Sequence, residues 1–241
     1  MNKSILFLWT MAISQFSFKA LALNMTLDPG HGGHDRGAIQ GRLSEAELVL
    51  DIALQVQALL AKNSEIKSTL TRDSDKTLSL SERVEKAERT PSDLYVSVHA
   101  NSNPSRLAEG AEFYFRENQS RSPLLLPPAK NENANEVEQI ISDLKSQGQL
   151  RSSLLFSQHL KENWKETSEN LHSAKIKRAP FYVVSHTSMP SVLIEVGFMT
   201  NPNELRKLNS KEHRQELAQK IYKSIVAYKE SVDKSRSQSL E

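Results

Sequence analysis

Cysteine is missing from all 241 residues of the chain. Its absence excludes disulfides, thiolate nucleophiles, thiolate metal sites and lipid attachment at a lipobox cysteine. Any metal must therefore be held by histidine and carboxylate, and an exported form must be stable by packing alone. Net charge is equally lacking. The 31 Lys and Arg become equal in number to the 29 Asp and Glu once Lys3 and Lys19, the only charged residues up to Ala22, are set aside. No overall positive field remains of the kind that drives phosphate-backbone binding, so nucleic acid is not an expected partner. No apolar stretch approaches the ~20 residues of a membrane span, and no internal repeat is visible.

What is present begins with a basic start at Lys3, an apolar run from Ile5 to Phe18 interrupted by Ser14, Gln15 and Ser17, and the small-x-small tripeptide Ala20-Leu21-Ala22. These are the parts of a secretory signal peptide, with cleavage expected after Ala22 and a periplasmic or secreted destination. Residues 23–230 are then expected to form a single domain, and 231–241 a flexible tail. Hydrophobic content of 38% and charged content of 25% are those of an ordinary globular protein.

Strand and helix signals alternate along that domain. An extended segment, Asn24–Leu27, runs into the Gly-rich loop Asp28-Pro29-Gly30-His31-Gly32-Gly33. Ser44-x-x-Glu47 and Ser79-x-x-Glu82 are capping boxes, the first opening a helix from about Glu45 to Ala61. Strands are expected at 66–71, 94–99, 111–116, 181–184 and 192–196. In the second of these, alternation puts Leu94, Val96 and Val98 on one face and Tyr95, Ser97 and His99 on the other. Helices are expected at 137–148, 152–164, 203–208 and 211–228. The order predicts an α/β fold, a mostly parallel or mixed twisted sheet flanked by helices, with chemistry at the carboxyl ends of the strands.

Three elements each offer a candidate metal ligand: His31 in the Gly-rich loop, Glu45 at a helix start and His99 at a strand end. Two imidazoles and one carboxylate suit a catalytic zinc site that leaves a position open for water. Glu195, flanked by Ile194 and Val196, is the candidate general acid/base, since partial burial raises a carboxyl pKa. Each residue also has an ordinary reading. His31 could be a turn residue, His99 a hydrogen-bonded strand end and Glu195 half of a buried ion pair. Glu45 could simply complement a helix dipole, and Glu47 competes with it.

Six motifs in order carry a resemblance that decides among these readings. They are Leu27–Gly33, Glu45–Leu50, Leu70–Asp75, Leu80–Arg83, Ser97–Asn101 and Met189–Phe198. Together they resemble the zinc-dependent N-acetylmuramoyl-L-alanine amidases of bacterial cell separation, over about Asn24–Tyr228. The resemblance implies that His31, Glu45 and His99 bind Zn2+, with Glu45 selected over Glu47, and that Glu195 is the catalytic acid/base. It implies cleavage of the amide joining N-acetylmuramic acid to L-alanine in peptidoglycan, during wall remodelling and daughter-cell separation. His34 is read as a loop residue, and His159, His172 and His213 lack a ligand-like neighbourhood. His186, Asn101 and Arg72 are candidates for substrate contact or support of the site.

Residues 119–151 exceed a minimal connection, and long insertions in compact domains serve as lids or binding loops. Amidases of the resembled kind can carry a helix here that plugs the site until a protein activator displaces it. The stripe Val137, Ile140, Ile141 and Leu144 would form that helix, around Glu136–Leu144, with Glu136 and Glu138 able to offer a carboxylate to zinc. A plain surface helix is the alternative. Two rival functions remain: a zinc peptidase or carboxypeptidase acting on the stem peptide, and a non-catalytic peptidoglycan-binding protein.

Overall fold

The computed structural model describes residues 21–117, 132–165 and 174–239, with backbone alone for 132–136. Residues 1–20 of the expected signal peptide, the first part of the insert and His172 lie outside the described residues. In chain order the elements are β1 (Leu23–Pro29), β2 (Ile39–Gln40), β3 (Leu43–Ser44), α1 (Glu45–Leu60), β4 (Ile66–Leu70), α2 (Leu80–Arg89), β5 (Leu94–Asn101), β6 (Glu112–Phe115), α3 (Glu132–Lys165), β7 (Lys175–Arg178), α4 (Tyr182–Ser185), β8 (Ser191–Phe198), α5 (Pro202–Asn209) and α6 (Lys211–Gln238).

Six strands make one mixed sheet in the order β4-β1-β5-β8-β6-β7, and β2 and β3 form a small separate hairpin. The first four run parallel; β6 is antiparallel to β8, and β7 runs parallel to β6. Both faces are covered, which is why β8 is buried at every position. On one face Leu27, Val96, Val98, Ile194 and Phe113 pack with Val49 and Ile52 of α1, Phe156 and Leu160 of α3 and Ile221 and Ile225 of α6. On the other, Tyr95 and Leu193 meet Ala87 of α2 and Val183 and Val184 of α4 in a smaller cluster. The alternation of β5 expected from sequence is thus realised. The smaller cover leaves the second face open at the carboxyl ends of β1, β5 and β8, where the polar residues collect.

Both capping boxes close as expected: Ser44 accepts from the Glu47 amide and Ser79 from the Glu82 amide, each glutamate reaching back to its cap. Other expectations need correction. The two helices foreseen at 137–148 and 152–164 are one helix, α3. A Cβ placed on Gly148 would meet nothing within 4 Å, and a lone glycine costs a helix only about 1 kcal/mol, which packing of Phe156 and Leu160 outweighs. The strand foreseen at 181–184 is instead the single turn α4, closed by the Ser185 and His186 amides bonding to Phe181 and Tyr182. A short apolar run does not distinguish the two forms. Strand β7 had no expectation at all, and α6 continues to Gln238 where a flexible tail was foreseen. Among the described residues, no helix is long and apolar enough to cross a membrane.

Candidate active site

The loop after β1 is held from both sides by buried arginines. Arg72 donates to the carbonyls of Pro29 (2.9 Å), Gly30 (2.7 Å) and Ala46 (2.9 Å). Arg83 donates to the carbonyls of Pro29 (2.8 Å) and His31 (2.5 Å) and to Asp28 Oδ1 (2.8 Å). Three consecutive carbonyls are therefore fixed by two guanidinium groups. That grip holds His31 in the left-handed region at φ 57°, a conformation that costs a non-glycine residue of order 1 kcal/mol or more. Asp28 itself is completely buried and takes further hydrogen bonds from Thr71, Tyr95 and Ser97. Burial pushes its carboxyl pKa up, but the Arg83 charge and the hydroxyl donors outweigh that and hold it below the usual carboxylate value.

Of the two roles open to Arg72, substrate contact or support of the site, full burial and the carbonyl contacts give it the second, as a clamp on the loop. Asp28, Arg83 and Asp35 were not foreseen. Asp35 accepts from His31 Nδ1 at 2.8 Å, turning the ring so that Nε2 faces inward, the orienting contact that ligand histidines commonly have. The only sequence signal for Asp28 was its place inside the first motif.

Glu45 stands at the centre. Its Oε1 lies 3.0 Å from His31 Nε2 and 3.0 Å from His99 Nδ1. It also accepts from the Ala100 amide at 3.1 Å, while Oε2 accepts from the Ala38 amide at 3.0 Å. The three side chains each present a ligand atom, all within 4.8 Å of one another, the only such group of three among the described residues. Burial disfavours the Glu45 carboxylate, yet the two histidines pull its pKa far below the ordinary range. Burial would likewise depress His31, but Glu45 and Asp35 prevail and raise it. The pocket thus attracts positive charge. Glu47, the competing glutamate, is spent on the Ser44 cap.

The donor set suits a divalent metal: two imidazoles and one ionised carboxylate converge, and among the described residues no arginine or lysine pairs with them. Room has been kept for the rings as well. A Cβ on Gly30 would sit 2.1 Å from His99 Cε1, and one on Gly37 would sit 2.6 Å from Glu45 Oε2.

Glu195 is the cross-strand neighbour of His99, in register on β8. It is 9% exposed and its Oε2 has no hydrogen-bond partner. Burial pushes its pKa up to about 7, with Glu45 and Glu112 adding to the rise and His99 opposing it. A cleft of about 560 Å³ joins these groups, lined also by Leu80, Arg83, Phe181, Tyr182 and Leu193. All four residues singled out in the sequence line it. His186 stacks on Tyr182 at 4.0 Å without lining the cleft, and Asn101 donates to Glu112 at 3.2 Å. Neither His34 nor His213 reaches it, and His159 bonds Ser231 on the far side. No residue of 137–144 lines the cleft: Glu138 is exposed, as are Val137, Ile140, Ile141 and Leu144. The Glu136 side chain and residues 118–131 lie outside the described residues.

A mixed α/β sheet that gathers two imidazoles, a bridging carboxylate and a buried unpartnered carboxylate at its strand ends has the equipment of a metal-assisted hydrolase. Residues 25–227 match the family model described as N-acetylmuramoyl-L-alanine amidase. The chain is 33% identical to the amidase AmiA of Escherichia coli, over 89% of this chain and 79% of AmiA. It is 31% identical to the probable amidase AmiB of Haemophilus influenzae, over 95% of this chain and 57% of that relative, and so spans little more than half of it. Among solved structures, the amidase AmiC2 of Nostoc punctiforme aligns with a TM-score of 0.64 at 29% identity, covering 86% of this chain and 96% of that one. The chain belongs to the N-acetylmuramoyl-L-alanine amidase family, a family of peptidoglycan amidases.

Proposed function

We propose that this chain hydrolyses the amide between N-acetylmuramic acid and L-alanine by a zinc-assisted mechanism, with His31, Glu45 and His99 as ligands and Glu195 as general acid/base. The observation that carries this reading is the placement of one carboxylate oxygen, Glu45 Oε1, 3.0 Å from both imidazoles, with the unpartnered Glu195 Oε2 beside them. When bound, zinc supplies Lewis acidity, polarising a carbonyl and making water a better nucleophile near neutral pH.

The remaining steps fall to the protein. Asp35 orients the His31 ring through Nδ1 and leaves Nε2 turned toward Glu45. Glu195, with a pKa of about 7 and one free oxygen, is poised to take a proton from attacking water and to return it to the leaving nitrogen. The leaving amine needs that proton, because an amide nitrogen departs poorly as an anion. Phe181, Tyr182, Leu80 and Leu193 line the cleft and limit the water around it.

The test joins zinc analysis of the purified protein to mass spectrometry of digested muropeptides. Bound zinc together with release of free, intact stem peptides is the expected result. Shortened stems still attached to muramic acid would identify a peptidase instead, and binding without any release would identify a non-catalytic wall protein.

Export to the periplasm by residues 1–22 and a role in wall remodelling and cell separation belong to the same proposal. So does a protein partner on α3, where Val137, Ile140, Ile141 and Leu144 make an exposed apolar stripe. Deleting 128–148 and assaying folded protein on sacculi tests that regulation: a change in dependence on added envelope extract supports it, and an unaltered dependence refutes it.

A further inference from the structure

The catalytic face does not end at Glu195. Strand register places His99, Glu195, Glu112 and Lys175 side by side across β5, β8, β6 and β7. One pleat further along, Ser97, Leu193, Tyr114 and Lys177 form a second row. The outer halves of these rows border a recess of about 350 Å³ lined by, among others, Asn101, Glu109, Glu112, Tyr114, Lys175 and Lys177. Asn101 lines both this recess and the main cleft, so the two adjoin at that residue.

The recess is assembled around Glu112, which is buried at 5% exposure. Its carboxylate accepts from Lys177 Nζ at 2.6 Å, Tyr114 Oη at 2.5 Å and Asn101 Nδ2 at 3.2 Å. Lys177 is therefore neutralised and serves to fix Glu112. Lys175 is different: it is exposed and, among the described residues, takes part in no ion pair. It projects on the same side as Lys177, two residues along β7, and lines the recess. A cation with no ion-pair partner among the described residues, at the far end of a polar trough, is suited to an anion brought by a ligand.

Which anion follows from the chemistry of the bond cleaved, so this step rests on the proposed amidase reading. The lactyl carboxyl of muramic acid is consumed as the acyl half of the scissile amide, and the neighbouring sugars are uncharged. The peptide half carries free carboxylates. Lys175 stands two strand spacings from Glu195, ~10 Å at 4.7–4.9 Å per strand, and an extended peptide covers that in about three residues. We propose that the recess on β6 and β7 is a subsite for the stem peptide, in which Lys175 recognises a free carboxylate on the second or third residue beyond the scissile amide.

Lys175 lies on the edge strand of the sheet with an exposed side chain, so its replacement does not threaten the core. Two synthetic N-acetylmuramoyl tripeptides serve as probes, one with its carboxylates free and one with them converted to carboxamides. Cleavage by the zinc-loaded full chain gives kcat and KM for each. Calorimetry on the same protein gives Kd independently of turnover. A charge-assisted contact at a partly open site corresponds to about five- to tenfold preference for the free acid, in KM and Kd rather than kcat. Lys175→Ala is expected to reduce that preference to about twofold or less, Lys175→Arg to retain it and Lys175→Glu to invert it.

Equal losses on both probes, or a preference that survives Lys175→Ala, would overturn the assignment. Failure of the amidase reading looks different: neither probe is cleaved at the muramoyl amide, while the Kd ratio and its response to Lys175 still decide the subsite.

Discussion

Replacing Arg83 with Met removes one side of the grip on the His31 loop while keeping an unbranched apolar stem in its place. The guanidinium is 3% exposed and faces a completely buried Asp28. It makes three hydrogen bonds, to Asp28 Oδ1, Pro29 O and His31 O. Removing one partner of a buried ion pair typically costs ~3–5 kcal/mol, because the other charge stays buried. For a domain of this size that lowers Tm by roughly 6–20 °C. The loss must also depend on pH. In the parent protein the Asp28 pKa is depressed, so its contribution is present above the unfolded value and lost as pH falls through the folded one. Without Arg83, burial is opposed by the hydroxyl donors and by the more distant Arg72 charge alone, and the folded pKa climbs. The gap between parent and variant is therefore full at pH 7 and shrinks toward pH 4, where a protonated Asp28 no longer needs the guanidinium. Urea denaturation of chelator-treated protein across that range measures it. A loss below about 1 kcal/mol at pH 7, or one that is the same at every pH, would refute the assignment of Arg83 as the counter-charge that holds the loop.

Three further expectations bear on the site itself. Glu195→Gln should lower kcat by about 10²–10⁴ while zinc content stays at the parent level; loss of the metal along with activity would reassign Glu195 to the ligand set. Gly30→Ala drives a Cβ into the His99 ring, so zinc content and activity should fall together while far-UV circular dichroism keeps its parent form; full metal occupancy would show that the ring has room to move. Chelation should abolish activity and zinc should restore it. Metal retention should weaken as pH falls, because His31 has a raised pKa and protons compete for its ring. Inductively coupled plasma analysis after dialysis from pH 8 to pH 5 checks this, and constant occupancy would contradict it.

Local signals and the structure agree where the information is carried by neighbouring residues. Ser44 and Ser79 announce their helices through partners three positions away, and the alternation in β5 sorts Val96 from Ser97 without any knowledge of the sheet. The cage needed more than that. His31, Glu45 and His99 have unremarkable individual surroundings, and their convergence came from the ordered motifs, not from spacing. The lock on the His31 loop was illegible because Arg72 and Arg83 meet their carbonyls across more than forty residues of chain, and no local pattern encodes such a contact. Strand β7 was missed for a related reason. Lys-Ile-Lys-Arg has no apolar alternation, and its strand character comes from pairing with β6 at the sheet edge. Phe181 and Tyr182 read as a strand because four apolar residues suit either form; the turn they make is what lets both line the cleft.

The rules of stable folding are broken together in one place. His31 takes a left-handed backbone, Gly30 gives up a side chain so that the His99 ring fits, and Glu195 keeps a buried oxygen without a partner. Such costs persist where a site needs them, and Glu195 allows the cost to be read directly. Its carboxyl pKa is raised from 4.5 to about 7, which corresponds to roughly 3 kcal/mol of destabilisation once the group is ionised in the fold. A carboxyl with a raised folded pKa is harmless below its unfolded value and destabilises as pH rises through the folded one. Glu195→Leu should therefore leave metal-free protein about as stable as the parent near pH 4 and make it more stable by a few kcal/mol near pH 8, while ending amidase activity. Denaturation curves at the two pH values decide the matter. A variant no more stable at pH 8 would mean that Glu195 is satisfied in solution, and its free oxygen would no longer stand as the mark of a group reserved for chemistry.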